Sequence, residues 1–199
     1  MVESTLEIVL ATRNPGKVAE MRALLTGLPV ALHAASSIDG APDVEEDAPT
    51  LEGNARKKAE ALYAFTGLPA LADDTGLEVE ALGGRPGVHA ARYAGPACDA
   101  VANRALLRRE LAGIANRAAQ FRTVIAFADG ETVRFFEGVC RGRILDEERG
   151  AGGFGYDPLF VPDGETRTFA ELSPDEKNAI SHRGRALRSF AAYLHERLS

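Results

Sequence analysis

A pair of adjacent carboxylates, Asp73 and Asp74, directly follows an apolar run, residues 68–72, that is typical of a buried strand. Ionised side chains at the mouth of such a strand must be paired or must hold a cation, because an unpaired buried charge is costly. Thr75-Gly76 and an alternating stretch, Leu77–Leu82, come next, so the pattern also fits a polar turn between two strands. The pair is therefore interpreted either as a cation site or as a turn whose aspartates cap backbone groups.

Composition narrows the classes of protein to which the chain can belong. Its 199 residues, 45% of them hydrophobic, suffice for one large domain or two small lobes with a shared core. A net charge of −6 argues against nucleic acid as the partner, and no apolar stretch approaches the roughly 20 residues of a membrane span. Residues 1–5 lack the basic start of a signal peptide, and the distant Cys98 and Cys140 indicate a reducing compartment. We therefore expect a cytoplasmic protein with no membrane partner.

Strand and helix signals alternate along the chain. Strands are predicted at Leu6–Ala11 and Val30–Ala34, and Asp129-Gly130 between two apolar runs predicts a hairpin. Helices are predicted after four capping residues, which are Asn14, Thr50, Asp99 and Ser181. The expected fold class is α/β, with a mixed, partly antiparallel central sheet flanked by helices.

The loop between the first strand and the first helix is a candidate anion site. Free backbone N–H groups and the helix dipole at a helix N-terminus attract a phosphate. Lys17 adds a positive charge, and Thr12 and Asn14 add hydrogen-bond donors. The loop lacks the longer glycine-rich Walker pattern, and the alternative is a well-capped helix with a surface lysine. Phosphate binding is the favoured interpretation of Thr12, Arg13, Asn14, Pro15, Gly16 and Lys17.

An acidic loop and a basic pair precede the two aspartates in the sequence. Most of Asp43–Asp47 fits a solvated charge run, although Glu45 or Glu46 could reach a metal held by Asp74. Mg²⁺ suits such a site, because it uses only one or two protein carboxylates and leaves positions for water and phosphate. Lys57 and Lys58 are interpreted as surface charges, one of which could lie near phosphate.

Two further segments carry side chains suited to a nucleotide. The glycine-rich stretch Gly150–Pro158 includes Phe154, whose ring could stack on a base, and Tyr156 and Asp157, which could form hydrogen bonds. The alternative there is a glycine loop with core aromatics. Near the start of the last helix lie Lys177, His182 and Arg183. Cations oppose the usual preference at a helix start, which indicates that they bind a carbonyl oxygen or a phosphate.

Together these segments resemble the inosine/xanthosine triphosphate pyrophosphatase family, the non-canonical purine NTP pyrophosphatases. The matching stretches are LATRNPGKVAEMRALL, LEGNARKKAEAL, LADDTGLEVEALGGRPGVHAARYAG, GAGGFGYDPLF and AELSPDEKNAISHRGRAL. They occur in the family's order, from the first strand to the last helix. The resemblance implies a homodimeric, magnesium-dependent enzyme that converts ITP, dITP or XTP to the monophosphate and pyrophosphate. It also implies a single domain over residues 1–199 with two lobes around a nucleotide cleft.

The resemblance assigns roles to individual residues. Asp74 matches the general base and metal ligand, and Glu45 matches an acidic position near the metal, with Glu46 as a close rival. The matching substrate contacts are Thr12–Lys17, Thr75, Phe154, Gly155, Tyr156, Asp157, Lys177, His182 and Arg183. Gly53 stands where the family often has glutamate, so Glu52 or Glu46 would have to replace that carboxylate.

Two other functions remain open from the residues alone. A Maf-type pyrophosphatase for modified pyrimidine nucleotides would use similar chemistry, although the segments around Phe154 and His182 argue against it. A non-catalytic nucleotide-binding module could use the same phosphate loop. Paired carboxylates favour hydrolysis, because a phosphate sensor gains little from two negative charges beside its ligand.

Overall fold

The structure, a computed structural model, describes residues 5–198, with only the backbone of Leu198. Most of the stretch that lacks the basic start of a signal peptide, residues 1–4, lies outside the described residues. The chain divides into two compact units. Unit 1 comprises Met1–Asp74, Thr123–Gly138 and Arg183–Ser199, and unit 2 comprises Thr75–Arg122 and Val139–His182. No helix among the described residues is long and apolar enough to cross a bilayer.

Seven strands and five α-helices form the described part of the chain. The strands are β1 (Leu6–Leu10), β2 (Val30–Ala34), β3 (Ala70–Val79), β4 (Pro86–Gly87), β5 (Ala118–Ala128), β6 (Val133–Ile144) and β7 (Phe160–Pro162). The helices are α1 (Pro15–Leu24), α2 (Leu51–Thr66), α3 (Ala100–Glu110), α4 (Pro174–Ile180) and α5 (His182–Leu198). The strands β3, β5 and β6 each contribute residues to both units.

Unit 1 has a sheet with strand order β2-β1-β3-β5-β6. β1 is parallel to both β2 and β3, with Leu6 opposite Val30 and Val9 opposite Ala70. Its core joins the sheet to helices α1 and α5, through the buried side chains Ile8, Met21, Leu71, Ile125, Leu187 and Phe190. Parallel strands connected by helices that cover the sheet are the arrangement expected for an α/β protein.

Unit 2 contains the antiparallel part of the architecture. β4 pairs antiparallel with β3, and β7 pairs antiparallel with β6. Its core is formed largely by aromatic and aliphatic side chains, including Leu77, Leu107, Phe121, Phe160 and Phe169. The mixed, partly antiparallel sheet with flanking helices predicted from the sequence is thus confirmed.

The four predicted helix starts are present, α5 beginning directly after Ser181, and three of them have the expected capping chemistry. Asn14, Thr50 and Asp99 accept hydrogen bonds from backbone N–H groups of the first helical turn, as N-caps do. Gly67 ends α2 in the left-handed conformation, with φ of +68°. Asp129 and Gly130 lie between β5 and β6, as the hairpin signal predicted.

Four local interpretations of the sequence differ from the structure. Asp73–Gly76 is not a turn, because β3 continues through it to Val79, and Glu80–Leu82 forms a 3-10 turn instead of more strand. The spacing of Phe65 with Leu62 on the predicted second helix indicates a buried side chain, but Phe65 is 49% exposed near the end of α2. The glycines and the proline of Gly83–Gly87 indicate irregular structure, but this stretch includes the short β4. β4 pairs with Leu77 and Glu78 of β3, and the local composition does not indicate that pairing.

Candidate functional site

The acidic pair and the first loop are neighbours because of the register of two parallel strands. Leu10 at the end of β1 lies opposite Leu71 of β3, and the N–H of Ala11 donates to the carbonyl of Leu71 at 2.8 Å. The residues that follow, Thr12 just after β1 and Asp73 within β3, therefore lie close together at the carboxyl end of β1. Ligands of open α/β sheets bind at this end, outside the carboxyl ends of the strands.

Asp73 is fully buried and is bound by two cations. Its Oδ2 lies 3.1 Å from Lys17 Nζ and accepts hydrogen bonds from Arg183 Nε and Nη2 at 3.1 and 3.0 Å. Arg183 also donates from Nη1 to Glu20. Burial raises the pKa of Asp73, but the charges of Lys17 and Arg183 outweigh it and hold the pKa well below its usual value. Asp73 is therefore an ionised anchor for the cations around it.

Asp74 has a different environment, although it is the next residue on the same strand. Its Oδ2 accepts a hydrogen bond from Asn54 Nδ2 at 3.1 Å, and its Oδ1 lies 3.5 Å from Lys58 Nζ. Burial raises the pKa of Asp74, Lys58 opposes this, and the carboxylate of Glu46 adds to it, so that the pKa lies above its usual value. Of the two aspartates, Asp74 is the better proton acceptor.

Lys58 is the central cation of this cluster, and its expected place on the surface was wrong. Only 8% of the residue is exposed, and its Nζ donates to the backbone carbonyl of Asp73 at 2.6 Å and to the carboxylate of Glu46. Burial lowers the pKa of Lys58, but Asp74, Asp73 and Glu46 together raise it above the usual value. Lys57, by contrast, is partly exposed and contacts Asp47 near the surface, as predicted.

The first loop is accessible and is arranged around a helix N-terminus. Asn14 Oδ1 accepts hydrogen bonds from the N–H groups of Gly16 and Lys17 at 2.9 and 3.3 Å, and Thr12 Oγ1 accepts from the N–H of Asn14. Arg13 donates to the carbonyl of Ala41 at 2.8 Å. The first turn of α1 carries no acidic residue, so that the dipole and Lys17 favour an anion there.

The carboxylates near Lys58 fit a divalent cation of the magnesium type. The described residues contain no group of three His, Cys, Asp or Glu side chains placed to hold a metal. Mg²⁺ needs only one or two protein carboxylates, and Glu46 is the acidic-loop carboxylate that shares Lys58 with Asp74. Glu45 is exposed and offers its backbone carbonyl to Lys57 at 3.0 Å.

Gly53 has a steric reason for departing from the family pattern. A Cβ atom there would lie 2.7 Å from the Cβ of Ala48 and 3.2 Å from the Oγ1 of the N-cap Thr50. Real Cβ atoms do not approach this closely, so a larger residue would have to move the acidic loop. The loop in this chain is therefore packed against α2 in a way that glycine permits.

Unit 2 contains a second cluster of predicted site residues. Lys177 and Asp157 are both buried and form an ion pair with Nζ 2.7 Å from Oδ2. The same Lys177 Nζ lies 4.5 Å from the centre of the Phe154 ring, which is partly exposed. Asp157 Oδ2 also accepts a hydrogen bond from the N–H of Phe154 at 2.7 Å. Asp157 thus holds the backbone of Phe154, and Lys177 contacts the face of its ring.

The remaining predicted residues have structural contacts of their own. His182 is buried, and its ring stacks on Phe121 with centroids 4.6 Å apart. The hydroxyl of Tyr156 donates to the carbonyl of Ala90 at 2.8 Å, which identifies a core aromatic that supports the loop. Thr75 is partly exposed on β3, and Arg183, grouped with Lys177 and His182 in the sequence, belongs to the Asp73 cluster of unit 1.

Sequence reasoning missed three side chains that the structure adds to these clusters. Glu20 binds Arg183, Asn54 binds Asp74, and Arg104 donates to the carbonyl of Gly155. Glu20 is three residues after Lys17 on α1, a spacing that puts both on one helix face and could have indicated it. The partners of Asn54 and Arg104 are distant in sequence, and no local pattern indicates them.

Comparison with known proteins identifies relatives over nearly the whole chain. Residues 8–193 match the model of the Ham1 family. A dITP/XTP pyrophosphatase of Geobacter sulfurreducens is 50% identical over 94% of this chain and 96% of its own length. A dITP/XTP pyrophosphatase of Streptomyces coelicolor is 49% identical, covering 96% and 98% of the two chains.

Solved structures show the same similarity. A HAM1 protein from Coxiella burnetii is 43% identical with a TM-score of 0.88, over 96% of this chain and 99% of that one. A structure from Mycobacterium abscessus, described as nucleoside-triphosphatase or dITP/XTP pyrophosphatase, is 42% identical with a TM-score of 0.74. It covers 93% of this chain and 98% of its own.

Proposed function

The chain belongs to the Ham1 family, and from this we propose that it hydrolyses non-canonical purine nucleoside triphosphates. The substrates are ITP, dITP and XTP, and the products are the monophosphate and pyrophosphate. The relatives described as dITP/XTP pyrophosphatases, at 46–50% identity over nearly the full chain, support this substrate class. The enzyme is a hydrolase of a phosphoric anhydride, and it removes these nucleotides from the pool.

The observation that carries the proposal is the contrast between the two neighbouring aspartates. Asp73 is ionised and holds Lys17 and Arg183 in place. Asp74 has a raised pKa and lies beside Lys58 and Glu46. A carboxylate whose pKa is raised toward the working pH next to positioned cations is the arrangement that general-base hydrolysis of a polyanion needs.

In the proposed reaction, Asp74 accepts a proton from a water molecule as that water attacks the α-phosphorus. The bond from the α-phosphorus to the bridging oxygen breaks, and pyrophosphate leaves. The N-terminus of α1, with Thr12–Lys17, binds the triphosphate oxygens, and Lys17 balances their charge. Lys58, which binds Glu46 and lies 3.5 Å from Asp74, balances the charge of these two carboxylates.

We propose Asp74 and Glu46 as the residues that hold Mg²⁺, with Glu45 as the alternative from the sequence. The support is the chemistry of the donor set, two carboxylates at the acidic end of the cluster and phosphate oxygens from the substrate. When bound, Mg²⁺ neutralises charge on the triphosphate and so stabilises the transition state. The buried side chain of Asn54 orients Asp74 through its hydrogen bond.

The base contacts are proposed for the cluster of unit 2, together with Thr75. Phe154 offers a ring for stacking, and Lys177 and His182 offer donors to the 6-oxo group of hypoxanthine or xanthine. Adenine presents an amino donor at that position, and donors facing it would be left unmatched. Guanine shares the 6-oxo group and differs by its 2-amino group. Gly155, Tyr156 and Asp157 shape this cluster, and Arg183 acts through Asp73.

The remaining expectations are proposals about the molecule as a whole. We propose that residues 1–199 act as one nucleotide pyrophosphatase domain, because each unit is built from non-contiguous stretches. We also propose a homodimer in the cytoplasm, with a purine nucleotide as the partner and no nucleic acid or membrane. Light scattering of the purified protein measures the mass, and a monomer at micromolar concentration would contradict the dimer.

One assay tests the proposed function. Pyrophosphate release is measured with ITP, dITP, XTP, ATP, GTP and dTTP, each with and without Mg²⁺. We expect a strong preference for the first three over ATP and GTP, and dependence on the metal. A preference for the pyrimidine nucleotide dTTP would favour the Maf-type alternative, and nucleotide binding without turnover would identify the non-catalytic module.

A further inference from the structure

Arg104 on α3 connects that helix to the glycine-rich loop, and it has no place in the proposed chemistry. Its Nη1 donates to the backbone carbonyl of Gly155 at 2.8 Å, across 51 positions of sequence. Its Nε lies 3.0 Å from Glu148 Oε2, and only 13% of the side chain is exposed. A guanidinium that is largely removed from water, with a hydrogen bond to a backbone carbonyl and an ion pair to a carboxylate, contributes more than a surface charge does.

The bond from Arg104 restrains the loop on one side of Phe154. Gly153 and Gly155, which flank this aromatic residue, have left-handed φ values of +69° and +60°. On the other side, Asp157 accepts a hydrogen bond from the N–H of Phe154 and is bound by Lys177. Glycines permit many backbone conformations, so the direction of the Phe154 ring depends on these two restraints.

Tyr156, the next residue of this loop, has a contact of its own. It is buried, and its hydroxyl donates to the carbonyl of Ala90 at 2.8 Å. Two successive residues of the loop, Gly155 and Tyr156, are therefore each bound to a different segment of unit 2.

We propose that Arg104 is a positioning residue for nucleobase recognition, which holds the Gly155 peptide and so keeps Phe154 in its stacking orientation. The proposal deepens the proposed function and rests on it. Arg104 acts through the loop and does not touch the nucleotide. Its planar guanidinium can reach Glu148 and the carbonyl of Gly155 together, whereas a lysine ammonium lacks this fork geometry.

The test compares Arg104→Gln with a matched control on the same helix. Arg108 also donates to a backbone carbonyl, that of Asp146 at 2.7 Å, but it is exposed and contacts a different segment. For R104Q we expect KM for ITP to rise about tenfold, the effect of losing a hydrogen bond from a charged group. The value of kcat should change by less than about threefold, since Asp74 is untouched. R108Q should behave as wild type.

A second measurement separates positioning of the base from general damage. Inorganic tripolyphosphate needs only the phosphate-binding residues, so its inhibition constant should be the same for R104Q and wild type. Hydrogen exchange of the amides at residues 153–157 should be faster in R104Q and unchanged in R108Q. Arg104→Lys should recover part of the affinity for ITP. Glu148→Gln should raise KM less than R104Q, because the bond to Gly155 remains.

Two results would overturn the inference. One is a wild-type KM for ITP with unchanged exchange in R104Q; the other is an equal weakening of ITP and tripolyphosphate, which would mean general destabilisation. If R104Q does not fold, R104K and E148Q decide by the same two comparisons. Failure of the wild-type enzyme to turn over ITP contradicts the proposed function instead, and the exchange experiment still tests whether Arg104 orders the loop.

Discussion

Asp73 and Asp74 are adjacent on β3, yet their carboxylates are bound by different partners and their pKa values are shifted in opposite directions. Lys17 and Arg183 hold Asp73 ionised, whereas burial and Glu46 raise the pKa of Asp74. Successive residues of a strand point to opposite faces. An uninterrupted strand therefore separates an anchoring carboxylate from a proton-accepting one within a single dipeptide, which a turn at this place would not do.

Replacing either aspartate by asparagine should separate these roles. Asp74→Asn should lower turnover of ITP at least about 100-fold, the contribution of a general base, with little change in Tm. Asp73→Asn removes one of the two carboxylates that bind the buried Arg183, and it also removes the carboxylate that binds Lys17, which should cost up to about 3–5 kcal/mol of unfolding free energy. Steady-state kinetics and thermal unfolding of both variants provide the comparison. Near-normal turnover by D74N would rule out the assigned base.

The identity of the second metal carboxylate is tested by a matched pair of variants. Glu46→Gln should raise the Mg²⁺ concentration for half-maximal activity at least about tenfold, as losses around a metal site typically do. Glu45→Gln should leave it unchanged, because Glu45 is exposed and only its backbone carbonyl contacts Lys57. Titration of activity with Mg²⁺ measures both. The reverse outcome would assign the site to Glu45.

If Phe154 stacks on the nucleobase, its removal should weaken the binding of nucleotides but not of ligands that lack a base. Phe154→Ala should raise KM for ITP about 5- to 150-fold, since aromatic stacking on a base contributes about 1–3 kcal/mol. The affinity for inorganic tripolyphosphate should not change. Phe135→Ala serves as the control, because that ring is 37% exposed and contacts Arg56. Equal effects of the two substitutions would argue against base stacking.

The hairpin carboxylate Asp129 should make stability depend on pH. Burial raises its pKa, but the N–H groups of Thr132 and Glu131 and the Arg197 guanidinium outweigh this and lower the pKa below its usual value. The stabilisation is complete above the unfolded pKa, about 3.9, and is lost as the pH falls through the folded value.

Asp129→Asn tests that dependence. It should lower the free energy of unfolding by about 1 kcal/mol at pH 7, which corresponds to about 2–4 °C in Tm for a chain of this size. The difference between variant and wild type should shrink toward pH 3. Thermal unfolding at both pH values measures it, with the exposed Asp39→Asn as control. A difference that stays constant with pH would exclude ionisation as its source.

Much of the architecture could be predicted because its signals are local. Asn14, Thr50 and Asp99 cap helices through bonds to their own first turns, and Asp129-Gly130 connects the hairpin that its sequence indicates. The course of β3 through Asp73–Gly76 was not predictable in this way. Two carboxylates and a glycine favour a turn, and the cations that stabilise an extended strand there come from helices far away in sequence.

In the candidate site, too, some residues could be predicted from local motifs and others only from the fold. Motif residues such as Lys17, Asp74 and Lys177 carry chemistry that is visible in their spacing. Lys58 resembled a surface charge because its neighbour Lys57 is one, and only the fold brings its ammonium to Glu46 and the carbonyl of Asp73. Ion pairs between distant segments depend on the tertiary structure, and local sequence patterns do not show which distant residues come into contact.

The boundaries between the two units fall at Asp74–Thr75 and His182–Arg183, inside the two motifs with the most chemistry, and again within β5 and β6. No single truncation of the gene can therefore release one half as a contiguous polypeptide. A shortened chain would lose strand pairing in the sheet, because the boundaries lie within β3, β5 and β6. Engineers seeking a minimal catalyst from this scaffold would have to rewire its connectivity by permutation and cannot simply trim its ends.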